Sequence, residues 1–106
     1  MGEFSKKYSV RGIRGATTVE SNNKDLIKVA TMELLKEMVS KNDVLSDDIA
    51  AVFFTTTSDI SDEFPAVAAR EMGWDTVPLI CGHEMAVPHG LEKCIRILIL
   101  WNTETK

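Results

Sequence analysis

The sequence has few cysteines and no long apolar run, and both absences restrict what it can be. Its 106 residues include two cysteines, Cys81 and Cys94, with no CxxC pair, so free thiols in a reducing cytoplasm are expected. No apolar stretch approaches the roughly 20 residues that span a bilayer. The N-terminal lysines are not followed by the apolar segment of a signal peptide. We therefore expect a cytoplasmic protein with no membrane partner.

An excess of basic residues is also lacking. There are 12 lysines and arginines against 16 aspartates and glutamates, giving a net charge of −4, which argues against a general nucleic-acid partner. A small anion is still an acceptable ligand, because a local pair of arginines can make the electrostatic potential of one pocket positive. The length and the absence of repeats or linker-like tracts predict one domain over residues 1–106.

The pattern of apolar residues predicts alternating strands and helices. We expect a strand over 8–13 that continues irregularly to 18, a helix over 21–42, a strand over 49–56, a short helix between Pro65 and Gly73, an edge or irregular strand over 76–82 and a last strand over 93–102. The fold class is therefore α+β, or α/β layered, with a mixed β-sheet and helices on its outer face.

The long helix has the clearest amphipathic pattern. Its predicted apolar stripe has Leu35 at the edge and Thr31 as its one polar member. Ser21 or Asn22 is the predicted N-cap. The stripe itself consists of Ile27, Ala30, Leu34 and Met38.

The last strand, KCIRILILW at 93–101, is apolar on both faces yet contains Arg96. Two helices can hardly cover both faces of the sheet, so a second subunit is expected against one of them. Burying a guanidinium is costly unless it is paired. Arg96 therefore lies either near an interface or at a sheet margin, where it reaches water or a carboxylate such as Glu84.

Two shorter motifs carry further polar groups. RGIRG at 11–15 places Arg11 and Arg14 around two glycines, and arginine suits bidentate recognition of carboxylates. The group of Cys81, His83, Glu84, His89 and Cys94 has no zinc-site spacing, so no metal is expected. Nothing in the local sequence marks Cys81 as an activated nucleophile.

Four stretches together resemble one enzyme family. They are RGIRGATTVE at 11–20, EFPAVAAREMGW at 63–74, PLICGHEMAVPHGL at 78–91 and KCIRILILW at 93–101. In this order and spacing they resemble the AroH-type, or Bacillus-type, monofunctional chorismate mutases. The resemblance covers nearly the whole chain from Val10 onward.

The resemblance implies an assembly and a reaction. It implies a homotrimer that forms a pseudo-α/β-barrel, with three active sites in clefts between neighbouring subunits. It also implies the rearrangement of chorismate to prephenate, on the way to phenylalanine and tyrosine, with no cofactor and no metal.

The resemblance further implies roles for individual residues. Arg14 matches an arginine that holds a substrate carboxylate, and Arg96 matches one that contacts the breaking ether oxygen and a carboxylate. Glu84 matches a glutamate near the substrate hydroxyl, and Cys81 a cysteine beside that hydroxyl. Phe64 and Ala66 match positions in the cleft wall that the other subunit gives. Leu79 and Ile80 match positions that line the same cleft.

Two departures from the family pattern stand out. Val67 replaces a lysine that some members carry at the pocket mouth. Family members also continue into a segment with a site tyrosine and a last strand, and this sequence stops before it, at Lys106.

Three other functions remain open at this point. One is a YjgF-like trimeric imine or enamine hydrolase, which also uses an intersubunit arginine. Another is a non-catalytic trimer that binds small carboxylates. The third is a folded domain whose arginines are structural.

Overall fold

The computed structural model describes residues 7–104, and the order of elements there agrees with the predicted order. The elements are β1 (Ser9–Thr18), α1 (Lys24–Asn42), β2 (Ile49–Thr56), α2 (Ala66–Glu71), β3 (Leu79–His83) and β4 (Cys94–Thr103). A 3-10 turn at Ser46–Asp48 leads into β2. Neither helix in this part of the chain is long and apolar enough to cross a membrane.

The four strands form one mixed sheet in the order β1-β4-β2-β3. β4 is antiparallel to both β1 and β2, whereas β2 and β3 are parallel. β1 was predicted to become irregular after Ile13. It instead stays regular to Thr18, because all ten of its residues pair with β4. The mixed sheet with two helices confirms the predicted fold class.

β3 lies at the sheet edge, as predicted, but it begins at Leu79 rather than near residue 76. Pro78 explains the later start, because proline has no N–H to donate to a ladder. Its carbonyl still accepts from the Val52 N–H at 2.9 Å, which leads the chain into register beside β2.

The N-cap of α1 lies one residue after Asn22 and two after Ser21, the two predicted caps. Asn23 is the N-cap, and its side-chain oxygen accepts from the Asp25 and Leu26 N–H groups at 2.9 and 3.1 Å. The predicted cap Asn22 is unavailable because its side chain bonds Ser61 and the Asp62 N–H instead. At the other end of α1, Asp43 ends the helix in the left-handed conformation.

The buried stripe of α1 differs from the predicted one. Leu35, expected at its edge, is fully buried, whereas Ala30 and Leu34 are only partly buried. Thr31 can lie at the centre of the stripe because its hydroxyl donates to the Ile27 carbonyl at 2.7 Å. The buried residues of α1 are Ile27, Thr31, Leu35 and Met38.

α2 follows the predicted pattern. Pro65 precedes its first residue, and Gly73 follows its end with φ of 90°. Such a φ favours glycine, which has no Cβ to clash.

Helices cover one face of the sheet only. The β4 side chains on the helix side are buried: Ile95, Ile97, Ile99 and Trp101. On the opposite face, which we call the open face, Leu98 and Leu100 are half-buried and Arg96 is exposed. Phe53 and Ile80 extend this apolar surface. One face of β4 is therefore uncovered within a single chain, and the second subunit expected against it stays a prediction.

Candidate active site

Two arginines lie together on the open face. Arg14 on β1 pairs with Leu98, and Arg96 on β4 pairs with Ala16. The two arginines are thus diagonal neighbours on one face of an antiparallel pair, with Cβ atoms roughly 7 Å apart. Both line a groove of about 540 Å³, together with Phe53 of β2.

Arg96 is held by Glu84. Its Nε lies 2.9 Å from Oε1 and 3.1 Å from Oε2 of the carboxylate. Glu84 follows β3 directly, and its N–H donates to the Thr56 carbonyl at 2.8 Å. The ion pair leaves the two terminal guanidinium nitrogens of Arg96 able to meet an anion. The predicted contact between Arg96 and Glu84 is present, but Arg96 is not at the sheet margin where that contact was expected, because β4 lies between β1 and β2.

A second cavity of about 400 Å³ lies between the segment before α2 and the edge strand β3. Phe64 and Cys81 line it, and the Phe64 side chain is 68% exposed. The ring of His83, which also lines it, has Nε2 3.1 Å from the Ile60 carbonyl oxygen. Burial raises the pKa of the Cys81 thiol, although the Ala66 N–H and the charge of Arg70 act in the opposite sense.

The predicted site residues therefore fall into two groups. Arg14, Arg96, Glu84 and Ile80 form the open-face group, and four others lie on the helix side of β3 or at the start of α2: Phe64, Ala66, Leu79 and Cys81. The groove and the second cavity share no lining residue. Ala66 is only 4% exposed. A single chain does not bring the two groups together.

The residues considered for a metal do not converge. Cys94 is buried, and His89 lies in the exposed loop before β4. Among residues 7–104, no group of three or more His, Cys, Asp or Glu side chains could hold a metal ion.

Contacts of the segment after β2 could not be found from the sequence. Asn22, Thr57 and Asp59 join this segment to distant elements through side-chain hydrogen bonds. Their only sequence signal is that Asn, Thr and Asp favour turns, which does not identify a partner 37 residues away.

Two arginines that line one groove of an open sheet face are typical of proteins with a site for a small anion. Comparison with known proteins gives the particular family. The sequence model of chorismate mutase type I matches residues 10–106. The chain is 50% identical over 97 residues to chorismate mutase AroH of Thermus thermophilus, covering 91% of this chain and 80% of that one. It is 41% identical to chorismate mutase AroH of Bacillus subtilis (strain 168), covering 90% and 76%.

A solved structure is similar as well. A chorismate mutase from Clostridium thermocellum superposes with a TM-score of 0.89 at 49% identity, covering 91% of this chain and 86% of that chain. The chain belongs to the chorismate mutase type I family and is an enzyme of the isomerase class. The resemblance drawn from the four motifs is thereby confirmed. The comparisons give no support to the imine hydrolase or to the binding trimer.

Proposed function

We propose that this chain rearranges chorismate to prephenate at the open-face groove, in phenylalanine and tyrosine biosynthesis. The observation that carries the proposal is the pair Arg14 and Arg96, with Arg96 oriented by Glu84 in an otherwise apolar surface. Membership of the family adds support.

The reaction needs positioning and charge rather than a nucleophile. Chorismate is a flexible dianion, and its rearrangement is unimolecular. The enzyme gains rate by holding the compact chair-like conformation and by stabilising the charge that develops as the C–O bond breaks. A fixed cation beside the ether oxygen stabilises the transition state more than the ground state.

Each residue of the open-face group has a role in this proposal. Arg14 binds a substrate carboxylate, and Arg96 binds the ether oxygen as negative charge grows on it. Glu84 fixes the guanidinium plane of Arg96 through two short contacts and lies near the substrate hydroxyl. Ile80, which is 59% exposed on the same face, contributes apolar wall.

We also propose that the active site is completed by a second copy in a homotrimer. The uncovered apolar face supports this assembly, since exposed apolar surface of this kind marks an interface. The separation of the two groups supports it too. Phe64 and Cys81 of one copy, which line the second cavity, would face Arg14 and Arg96 of the next, with Ala66 and Leu79 packed behind them.

We propose that the chain works as one domain, in the cytoplasm. Support for the single domain comes from the one sheet that joins all four strands of residues 7–104. Support for the compartment comes from Cys81 and Cys94, which are both free thiols.

Loss of chorismate absorbance tests the proposal with the purified chain. Wild type should consume chorismate, and Arg96→Ala should abolish rapid loss. Arg11→Ala is the matched control, because Arg11 pairs with Trp101 and so projects from the opposite face of β1. Equal turnover in wild type and Arg96→Ala would contradict the proposal. Release of ammonia from an amino-acid-derived imine would favour the hydrolase instead, and tight binding of a bicyclic transition-state analogue without turnover would favour a binding module.

A further inference from the structure

The corner after β2, residues Thr57–Asp59, is joined to the start of β4 by side-chain hydrogen bonds. The Asp59 carboxylate accepts from the Lys93 N–H, at 2.9 Å to Oδ2 and 3.2 Å to Oδ1. It also accepts from the Thr57 hydroxyl. The same hydroxyl oxygen accepts from the Cys94 N–H at 2.9 Å. The carboxylate of an exposed aspartate thus accepts a hydrogen bond from a backbone N–H 34 residues later in the chain.

The backbone that Asp59 holds has an uncommon conformation. Lys93 has φ of 47°, and Asp43 is the other non-glycine residue with positive φ within residues 7–104. Asp43 ends a helix, where this conformation is common. Lys93 instead lies directly before β4, where the conformation persists only if surrounding contacts impose it. The Val19 N–H donates to the Lys93 carbonyl at 3.0 Å from the other side.

Arg96 depends on this corner, and Glu84 is attached to the β2 residue directly before it. Arg96 lies three residues after Lys93, and the Thr57 N–H donates to the Cys94 carbonyl at 3.0 Å. Glu84 is fixed by its own N–H, which donates to the Thr56 carbonyl at 2.8 Å. The corner therefore sets where the guanidinium and the carboxylate lie relative to each other.

We propose that Asp59 is a positioning residue for Arg96. Its hydrogen bonds impose the conformation of Lys93 at the start of β4. That conformation sets the position from which the Arg96 side chain reaches Glu84 and the groove. This inference rests on the proposed function, because it deepens the role given there to Arg96. The Thr57 hydroxyl lowers the pKa of Asp59, and the Lys93 N–H acts in the same direction, so the carboxylate remains charged at neutral pH.

Steady-state kinetics separate positioning from a general structural role. Asp59→Asn keeps the shape and one acceptor oxygen, and Asp59→Ala removes both oxygens. We expect kcat to fall about 10-fold to 100-fold, more for alanine than for asparagine, with a smaller change in KM, since sub-ångström misplacement acts on the transition state. Asp47→Asn, which removes an exposed carboxylate before β2, should leave kcat unchanged.

Two further measurements make the result specific to Arg96. In an Arg96→Ala background, Asp59→Asn should cause no additional loss of rate. The effects of two substitutions on rate do not add when one residue acts through the other. In nitrogen-15 NMR spectra, the Nε–H signal of Arg96, assigned by its absence in Arg96→Ala, should shift in Asp59→Asn and stay unchanged in Asp47→Asn.

The two proposals fail in different ways. Equal chorismate turnover in wild type and Arg96→Ala overturns the proposed function, and the Nε–H signal then decides the role of Asp59. Wild-type kcat in folded Asp59→Asn overturns the positioning role, as does an undiminished effect in the Arg96→Ala background. An unmoved Nε–H signal overturns it as well.

Discussion

Replacing Arg96 should affect catalysis far more than stability. The Arg96 side chain is 51% exposed and that of Glu84 is 26% exposed, so solvent screens the ion pair. Exposed pairs of this kind contribute about 0–1 kcal/mol to folding. At the size of this chain, 1 kcal/mol corresponds to about 4–8 °C in Tm. Arg96→Ala should therefore lower Tm by at most about 8 °C.

The same substitution removes a charge that acts on the transition state. Loss of one such group costs about 2.7–4 kcal/mol, or about 10²–10³ in rate. Arg96→Lys keeps the charge but loses the planar fork that meets both Glu84 oxygens, so its activity should lie between those of wild type and Arg96→Ala. Replacement by citrulline, a neutral isostere, separates the contribution of charge from that of hydrogen bonding.

The assay combines chorismate absorbance for kcat and KM with thermal denaturation of each variant. We expect a large fall in kcat together with a fall in Tm of no more than about 8 °C. A fall in activity that simply follows the fraction of unfolded protein would refute the reasoning, because Arg96 would then be a structural residue. Full turnover in folded Arg96→Ala would refute it equally.

Three further changes test the core, the thiol and the open face. Gly15→Val should destabilise the chain by about 1–3 kcal/mol in thermal denaturation, because a Cβ there would lie 2.7 Å from the Met38 Sδ. The control is Gly82→Ala, where nothing lies within 4 Å of the added Cβ. Equal Tm values for the two variants would contradict the close packing at Gly15. Cys81→Ser should keep most of its turnover. Alkylation of Cys81 near neutral pH should be slow, because a raised pKa leaves the thiol protonated at that pH. Fast alkylation would contradict the raised pKa. Leu100→Lys on the open face should reduce self-association in sedimentation velocity, and an unchanged oligomer would show that this face is not the interface.

Much of the fold could be predicted from local pattern. The alternation of apolar residues in β4 and the 3.6-residue period of α1 depend on neighbours in the chain, and both predicted elements are present. The errors came from long-range contacts. Asn22 was expected to cap α1, but it bonds residues 39 and 40 positions away, and nothing near it in the sequence identifies that partner.

The candidate site could be predicted only in part. The Arg96–Glu84 contact was expected for an arginine at the sheet margin; the contact is present, but it is made from the inner strand β4. The role of Asp59 could not be foreseen, because it depends on the conformation of Lys93 and on a bond across 34 residues. The division of the site residues into two groups follows from strand parity: Ile80 and Cys81 are adjacent in sequence but project from opposite faces of β3.

Subunit mixing tests most directly whether each active site is built from two copies. One variant, Arg96→Ala, disables the open-face group. The other, Phe64→Asp, places a carboxylate against a dianionic substrate, at a side chain that is 68% exposed within one chain and so tolerates change. Each variant alone should be inactive, and the two are co-refolded in equal amounts.

Shared sites predict that activity returns on mixing. In a cyclic trimer, every mixed assembly contains one site with both intact groups, so random mixing should restore about a quarter of wild-type activity. If each site instead lies within one chain, every site in a mixed assembly contains the substitution of its own chain and stays inactive. Mixed assemblies as inactive as their parents would therefore contradict the shared site.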